Sequence, residues 1–339
     1  MADMRVAITG ASGFLGGHIL AAIRSAGYTP VAIVRSASAA SGYLPGNIEV
    51  READITDAPA LIRALKGVPA AIHVAGMVST NKCDVEALWW TNVTGAQNFL
   101  SAAQTASIKR AIFTSTTSAV GALTVNEPDA AMDEQAIFNL TNTPVAYVQA
   151  KRAAHEMALA AQADGLSLVI MSPSFVLGPS DRNYNTSALL DAVRKKRLPV
   201  CPHGGINPVD VRDVAKAYVA ALEHPDPAPH YVLASQENLT LKHLIVRMAG
   251  VAGVRPPRVS LPNALVIAAA SIAEAFLPRG DMTAAGARLG SYYWYFNAAL
   301  ARRDLALDCR PLTSTLKATL QWLDTHTKTA PQRPGLEQL

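Results

Sequence analysis

The sequence predicts an α/β protein: a doubly wound parallel sheet with a smaller, mostly helical C-terminal part. Three observations predict it. Short apolar runs alternate with segments of helical periodicity from residue 4 to about 176. A glycine-rich turn, Gly10, Gly13 and Gly16, stands directly after the first apolar run and before the first amphipathic stretch. Beyond Gly178-Pro179 the chain loosens into Asn-, Pro- and Gly-rich sequence before regular periodicity returns. At 339 residues, half of them hydrophobic, the chain is long enough to bury one large core and a smaller attached one.

Taken in order, Val6, Ala7 and Ile8 read as a buried parallel strand, and Phe14, Leu15, Ile19, Leu20 and Ile23 recur at helical spacing behind the glycine turn. Gly10 permits the tight turn, Gly13 lets the backbone approach a pyrophosphate, and Gly16 lets the helix pack on the strand with its N-terminus facing the anion. Strand, turn and helix in this order form the dinucleotide cradle of a Rossmann sheet. At the end of the second strand, where an acid would accept from a ribose 2′-hydroxyl, the chain carries Arg35, followed by Ser36 and Ser38. A guanidinium fork matches a phosphate, so this position predicts NADPH (NADP) rather than NAD. The fourth strand runs into His73-Val-Ala75-Gly76, and the strand interior favours a structural role for His73.

The fifth strand, within Ile108 to Gly121, ends in hydroxyls that include Ser115, Thr116 and Thr117, at the edge where open α/β sheets place ligands. Tyr147 and Lys151 follow on a helical pattern, four residues apart and so on one face. An ammonium beside a phenol, with the charge of an oxidised nicotinamide, would stabilise the phenolate and lower its pKa. His155, one turn further, is expected to face a neighbouring helix or solvent. Later, Val209 to Leu222 reads as a helix and Tyr231 to Ser235 as a strand. Asn263 to Leu277 is apolar but too short to span a membrane, and is interrupted by Asn263 and Glu274. It reads as a buried or partner-facing helix, with shallow membrane contact as the other reading.

Bulk properties exclude several classes. The net charge is +4, and the basic run Arg194 to Arg197 suits a helix C-terminus, with no aromatic interleaving of the kind that binds nucleic acid. Cys83, Cys201 and Cys309 are far apart and odd in number, so neither a disulfide framework nor a metal site is expected. The N-terminus enters the first strand at once, which predicts a cytoplasmic protein.

Together the glycine turn, the hydroxyl-tipped strand and the Tyr/Lys helix resemble the extended branch of the short-chain dehydrogenase/reductase superfamily, the NAD(P)-dependent epimerase/dehydratase family. Asn92-Val-Thr-Gly95, Pro173-Ser-Phe-Val-Leu-Gly-Pro179 and Val209 to Ala215 are further matching landmarks, and Ala299 to Leu312 is similar to the ending of dihydroflavonol-reductase-like and hopanoid-associated epimerase-like members. The resemblance implies that Tyr147 is the proton donor, that Lys151 tunes it and binds the nicotinamide ribose, and that Thr116, with Ser115 as the alternative, orients the substrate. It also implies cofactor contacts from Asp54 and Ile55 to the adenine and from Ala75, Gly76, Pro173 and Ser174 elsewhere along the dinucleotide. On this basis residues 1–176 and 209–236 form the dinucleotide-binding unit, 177–208 and 237–325 the substrate-binding unit, and 326–339 a flexible tail.

The expected reaction is NADPH-dependent reduction of a ketone or aldehyde with an apolar or aromatic body. Met77, Val78, Thr117, Leu123 and Phe175 are expected to line its pocket, within walls that also draw on Leu177, Phe276, Leu277 and the aromatic run 292–296. Those aromatics also suit a core or a homodimer contact. The alternatives are an NAD(P)-dependent sugar-nucleotide epimerase or dehydratase, a 3β-hydroxysteroid-dehydrogenase-like enzyme, and a non-catalytic dinucleotide sensor. The Tyr/Lys pair argues against the last.

Overall fold

Seven parallel strands occupy the centre of the molecule in a computed structural model, which describes residues 4–326 apart from Pro199, Pro202 and Asp281. They are β1 (Arg5–Thr9), β2 (Thr29–Val34), β3 (Glu49–Glu52), β4 (Ala70–His73), β5 (Arg110–Thr114), β6 (Leu168–Pro173) and, after an excursion holding β7 (Phe175–Leu177) and β8 (Pro208–Asp210), β9 (His230–Leu233). The order across the sheet is β9-β6-β5-β4-β1-β2-β3. β1 lies between β2 and β4, with Val6 opposite Pro30 on one side and Ala70 on the other. Unbroken apolar runs such as Val6-Ala-Ile8 and Ala70-Ala-Ile72 arise because both faces are covered, as parallel sheets require.

On one face, α1 (Phe14–Ser25) and α6 (Val211–Glu223) bury Ile19, Leu20, Ile23, Val214 and Tyr218 against Ile8 and Ile112. On the other, α2 (Ala58–Leu65), α3 (Gly95–Thr105) and α4 (Ala146–Ala163) bury Leu61, Leu65, Phe99, Leu100, Ala154 and Ala158. The chain winds outward from β1 to β3 and then returns to β4, so a crevice opens between the C-terminal ends of β1 and β4.

Besides two short helical turns, Ala37–Ala40 and Val85–Trp89, the remaining helices are α5 (Ser187–Arg194), α7 (Leu241–Ala252), α8 (Asn263–Phe276), α9 (Ala284–Leu289), α10 (Ala299–Leu305) and α11 (Leu312–His326). α5, α7 and α11 share a separate core of Leu177, Leu190, Leu244, Met248, Leu316 and Leu323. The segment around α10 instead returns to the sheet, where Ala298, Ala301 and Leu305 join the first core. The two cores are stitched by ions. Asp210 pairs with Arg212 at 2.7 Å and accepts from Thr315 Oγ1 at 2.7 Å, while Asp213 pairs with Arg310 at 2.6 Å.

Three sequence expectations change in detail. Val209 belongs to β8, because Pro208 holds the chain extended and Asp210 caps α6 by accepting from Arg212 N; the helix starts at Val211. α8 is neither buried nor covered within the chain: only Ala270 and Glu274 are buried on it. The tail expected over 326–339 lies outside the described residues except His326, which ends α11. Among the described residues no helix is long and apolar enough to cross a membrane.

Candidate active site

The crevice begins at the glycine turn. Gly10 has φ +68°, and a Cβ there would stand 2.8 Å from Ala75 Cα. At Gly16 a Cβ would stand 2.1 Å from Gly10 O, so only glycine lets α1 start directly beneath the turn. A Cβ on Gly13 would meet only Gly10 O, at 3.1 Å, and otherwise faces open space. Gly13 is also the N-cap of α1, with no side-chain cap and no acidic residue in the first turn, where Phe14 and Leu15 stand. Uncapped N–H groups at a positive helix end, reached past a position without a side chain, suit a pyrophosphate.

The neighbouring loop is held in place from below. Thr9 Oγ1 accepts from Val74 N at 3.2 Å and Ala75 N at 3.3 Å, and lies 2.9 Å from His73 Nδ1. His73 is buried and stacked on Phe99 and Phe113, and burial together with the Lys151 charge pushes its pKa down to about 3. It is a neutral structural ring. Asn92, on a widened helical turn (Trp90–Thr94), accepts from Met77 N at 3.0 Å and donates to Met77 O at 2.8 Å. A Cβ on Gly76 would fall 2.9 Å from Asn92 Oδ1.

At the other end of the cradle, Arg35 is exposed at the end of β2 and makes no hydrogen bond or ion pair among the described residues. Ser36 caps a short helical turn by accepting from Ala39 N, and its hydroxyl lies 2.9 Å from that of Ser38. Glu52 accepts from Ala37 N at 2.6 Å in the same turn. Asp54 Oδ1 accepts from Thr56 N and Thr56 Oγ1, both at 2.8 Å, and among the described residues no bond occupies its second oxygen. Ile55 is buried, its carbonyl accepting from Asn98 Nδ2 at 2.9 Å, and its side chain fills the space that a Cβ on Gly95 would need.

The chemistry-bearing groups converge where β5 ends beside the start of α4. The hydroxyls of Thr116 and Ser118, 3.2 Å apart, stand beside Tyr147 and act on its phenol. Lys151 Nζ donates to Thr114 O at 3.2 Å. Burial drives the Lys151 ammonium down to about 8. It also raises the Tyr147 phenol, against which the hydrogen bonds from Thr116 and Ser118 pull downward. The expected lowering invoked the charge of an oxidised nicotinamide as well as the lysine; the chain's own groups act in the other direction. Desolvation outweighs the hydroxyl hydrogen bonds, and the ammonium is directed to a carbonyl of β5.

Ser115 turns the other way. Its hydroxyl is buried 2.8 Å from His155 Nδ1, His155 packs edge-on against His230, and His230 Nε2 lies 2.8 Å from Ser172 Oγ. His155 thus faces the strands, not a helix or solvent, because residues 147, 151 and 155 share the inward face of α4. Sequence reasoning missed Ser118, whose only signal was the hydroxyl run after β5, and Thr9, which gave none.

The walls around Tyr147 are apolar. Phe138, Leu289, Tyr292 and Trp294 pack with it against buried Ala122, Leu140, Val145 and Val148. Leu123 is strapped to the aromatic run by paired backbone bonds with Tyr293 of 3.0 and 2.9 Å. Met77 is half-buried, Val78 is exposed and Thr117 is buried. Several expected walls lie elsewhere. Phe175 and Leu177 belong to the core of α5, α7 and α11, because β7 runs away from the cleft to pair with β8. Phe276 and Leu277 are 81% and 67% exposed on the outer side of α8. Pro173 is buried at the end of β6, and Ser174 Oγ donates to Asn207 Oδ1 at 3.3 Å.

Comparison with known proteins agrees with this geometry. The model of the NAD dependent epimerase/dehydratase family matches residues 6–234, from β1 to just past β9. A Synechocystis sp. protein that carries the provisional name dihydroflavonol 4-reductase is 28% identical over 328 residues, covering 94% of each chain. The 4-hydroxy-2-methyl-3-oxo-4-farnesyl-3,4-dihydroquinoline-1-oxide ketoreductase of Stigmatella aurantiaca is 28% identical over 281 residues, covering 80% of each. The crystal structure of gox2253 superposes with a TM-score of 0.82 at 26% identity, covering 96% of this chain and 99% of that one. A glycine cradle under a parallel sheet, a tyrosine and lysine on one helix face, and a family match spanning both lead to one conclusion: the chain belongs to the NAD dependent epimerase/dehydratase family and is an NAD(P)-dependent oxidoreductase.

Proposed function

We propose that the protein is an NADPH-dependent reductase of a ketone or aldehyde whose body is apolar or aromatic. The observation that carries this reading is the position of the Tyr147 hydroxyl. It meets Thr116 and Ser118 while its ring lies among Phe138, Leu289, Tyr292 and Trp294. A carbonyl oxygen seated there receives hydrogen bonds from Thr116 and Tyr147, and the aromatic walls accept the rest of the molecule without ionic contacts. A dinucleotide held by the glycine turn and Lys151 would supply the hydride that the carbonyl carbon takes up. Tyr147 then passes its proton to the alkoxide oxygen and regains one from solvent, so that one carbonyl, one hydride and one proton give one alcohol.

Lys151 holds its ammonium beside this exchange and against Thr114 O, positioned for ribose hydroxyls. Gly10, Gly13 and Gly16 hold the pyrophosphate, and Asp54 keeps one carboxylate oxygen for an adenine amino group. Arg35, unpartnered at the end of β2, supports NADPH over NAD because its fork is available to a 2′-phosphate. The two relatives named above carry the names of a reductase and a ketoreductase, which supports a reduction here.

The test is a panel of aryl and long-chain ketones set against nucleotide sugars, with either dinucleotide and with Arg35→Ala. The expected outcome is ketone-dependent oxidation of NADPH, with a preference over NADH that Arg35→Ala reduces by about tenfold or more, as loss of a charge-assisted phosphate contact implies. Turnover of nucleotide sugars alone, read as epimer formation, would overturn the reading in favour of an epimerase.

A further inference from the structure

We infer that the outward face of α8 is a docking surface for an anionic lipid bilayer. The helix carries Leu265, Ile272 and Phe276 at 57%, 61% and 81% exposure, with Ala268, Ala269 and Ala275 exposed between them. Their spacing puts them on one side of the helix, and Leu277 extends the stripe. The side turned to the protein is narrow, with Ala270 and Glu274 buried and Val266, Ile267 and Ala273 half-buried. Glu274 is the sole ionisable residue of α8, and it is buried on Lys82 at 3.2 Å, so the exposed face carries no charge at all.

The helix is firmly held. Asn263 Nδ2 donates to His203 O at 2.6 Å and its Oδ1 accepts from His203 N at 3.1 Å, while Glu274 Oε2 accepts from Ala284 N at 3.4 Å at the other end. Large side chains are thus presented outward by a fixed rod rather than by a loose loop. An uncharged stripe of this kind calls for an occupant.

Charge identifies the occupant. From Arg255 to Gly280 the chain holds three arginines, Arg255, Arg258 and Arg279, all exposed, and one acid, the buried Glu274. In the sequence the arginines flank the apolar stripe, Arg255 and Arg258 before it and Arg279 after it, with Asp281 as the next acid. A bilayer with anionic headgroups satisfies both features, taking the apolar side chains below the headgroups and the guanidiniums at their level. A second copy fits poorly. An antiparallel two-fold pairing sets Arg255 and Arg258 opposite the other copy's Arg279, and a parallel one sets each arginine opposite itself. Among the described residues no helix is long and apolar enough to span such a bilayer, so α8 would lie along its surface.

The face is also next to the cleft. Lys82 belongs to the loop that follows Met77 and Val78, Thr283 Oγ1 donates to Thr80 Oγ1 of that loop at 2.8 Å, and α9 sends Leu289 to the Tyr147 walls. Docking therefore sets the bilayer on the substrate side of the molecule.

The test is cosedimentation of the full chain with vesicles of phosphatidylcholine alone and of phosphatidylcholine mixed with phosphatidylglycerol. Each arginine near an anionic surface contributes about fivefold to partitioning. Binding is expected to be at least about tenfold stronger on the anionic vesicles, to weaken with salt, and to fall by at least about tenfold in Arg258→Glu/Arg279→Glu. Leu265→Ser/Ile272→Ser/Phe276→Ser should lose it as well, with unfolding midpoints unchanged in both variants because the altered side chains are exposed. Equal binding to both vesicles, no binding, or variants that bind like the wild type overturn the inference. So does a wild-type dimer in analytical ultracentrifugation that the serine variant makes monomeric, which would assign the face to a subunit contact. Turnover of a water-soluble ketone in buffer is measured alongside; it tests the proposed reaction separately and should not change in either variant.

Discussion

Tyr147 is raised by burial and restrained by two hydroxyls, which suits a group that keeps its proton until an alkoxide demands it. Tyr147→Phe removes the proton and leaves the ring packed on the cluster of Ala122, Leu140, Val145 and Val148. Turnover should fall by about 10² to 10⁴, with dinucleotide affinity within about twofold of wild type, measured by steady-state rates and by fluorescence titration with NADPH. A variant retaining more than a few per cent of wild-type turnover would remove Tyr147 from the reaction. At this scale the sequence was legible wherever the decisive neighbour is close along the chain. The four-residue step from Tyr147 to Lys151 shows as a pair, and Gly10 to Gly16 shows as a turn. It was illegible where the neighbour is distant: Thr9 meets Val74 and Ala75 across the sheet, and nothing local marks it among other strand threonines. Ser115 and Thr116 are adjacent and chemically alike, and only the pleat that sends one to His155 and the other to Tyr147 separates them.

Among elements, the joint between the first turn and α1 is the tightest. A methyl at Gly16 would stand 2.1 Å from Gly10 O, whereas at Gly17 it would meet Ala11 O at an ordinary 3.7 Å. Gly16→Ala should therefore cost about 1–3 kcal/mol of stability and weaken NADPH binding, since the turn must move to admit the methyl. Gly17→Ala should leave binding intact and gain up to about 1 kcal/mol from helix propensity. Urea unfolding and calorimetric titration of the pair check this, and equal effects would show that the turn is not the constraint. The strands and α1 to α4 were readable because parallel strands buried on both faces and amphipathic helices leave strong periodic patterns. α8 was readable as a helix but not as an exposed one, since an apolar run has the same composition whether protein or something else covers it.

For the molecule as a whole, buried imidazoles set the response to acid. His73 and His155 are pushed from 6.5 to about 3 and His230 to about 4, in each case first by burial. An unfolded chain takes up these protons near pH 6.5, while the folded chain refuses them until pH 4 or below. The unfolded state thus binds more protons between those limits, so stability is complete above pH 6.5 and is lost progressively as pH falls toward 4 and then 3. The slope reaches about 1.4 kcal/mol per pH unit for each histidine. Urea midpoints followed from neutral to about pH 5 should fall steeply, and His155→Gln/His230→Gln should flatten the decline. A wild-type midpoint constant over that range would mean that water reaches these rings.

The long helix α4 carries Tyr147, Lys151 and His155 on successive turns and packs that face on the sheet. The spacing between acid and ammonium is thereby a property of one backbone, fixed before any substrate arrives. On the proposed function, what meets the substrate's body comes instead from Phe138, Leu289, Tyr292 and Trp294, on segments with no share in that spacing. Reactivity and recognition are thus inherited separately: the loops can drift toward a new molecule through many small steps, and none of those steps needs to disturb the proton transfer.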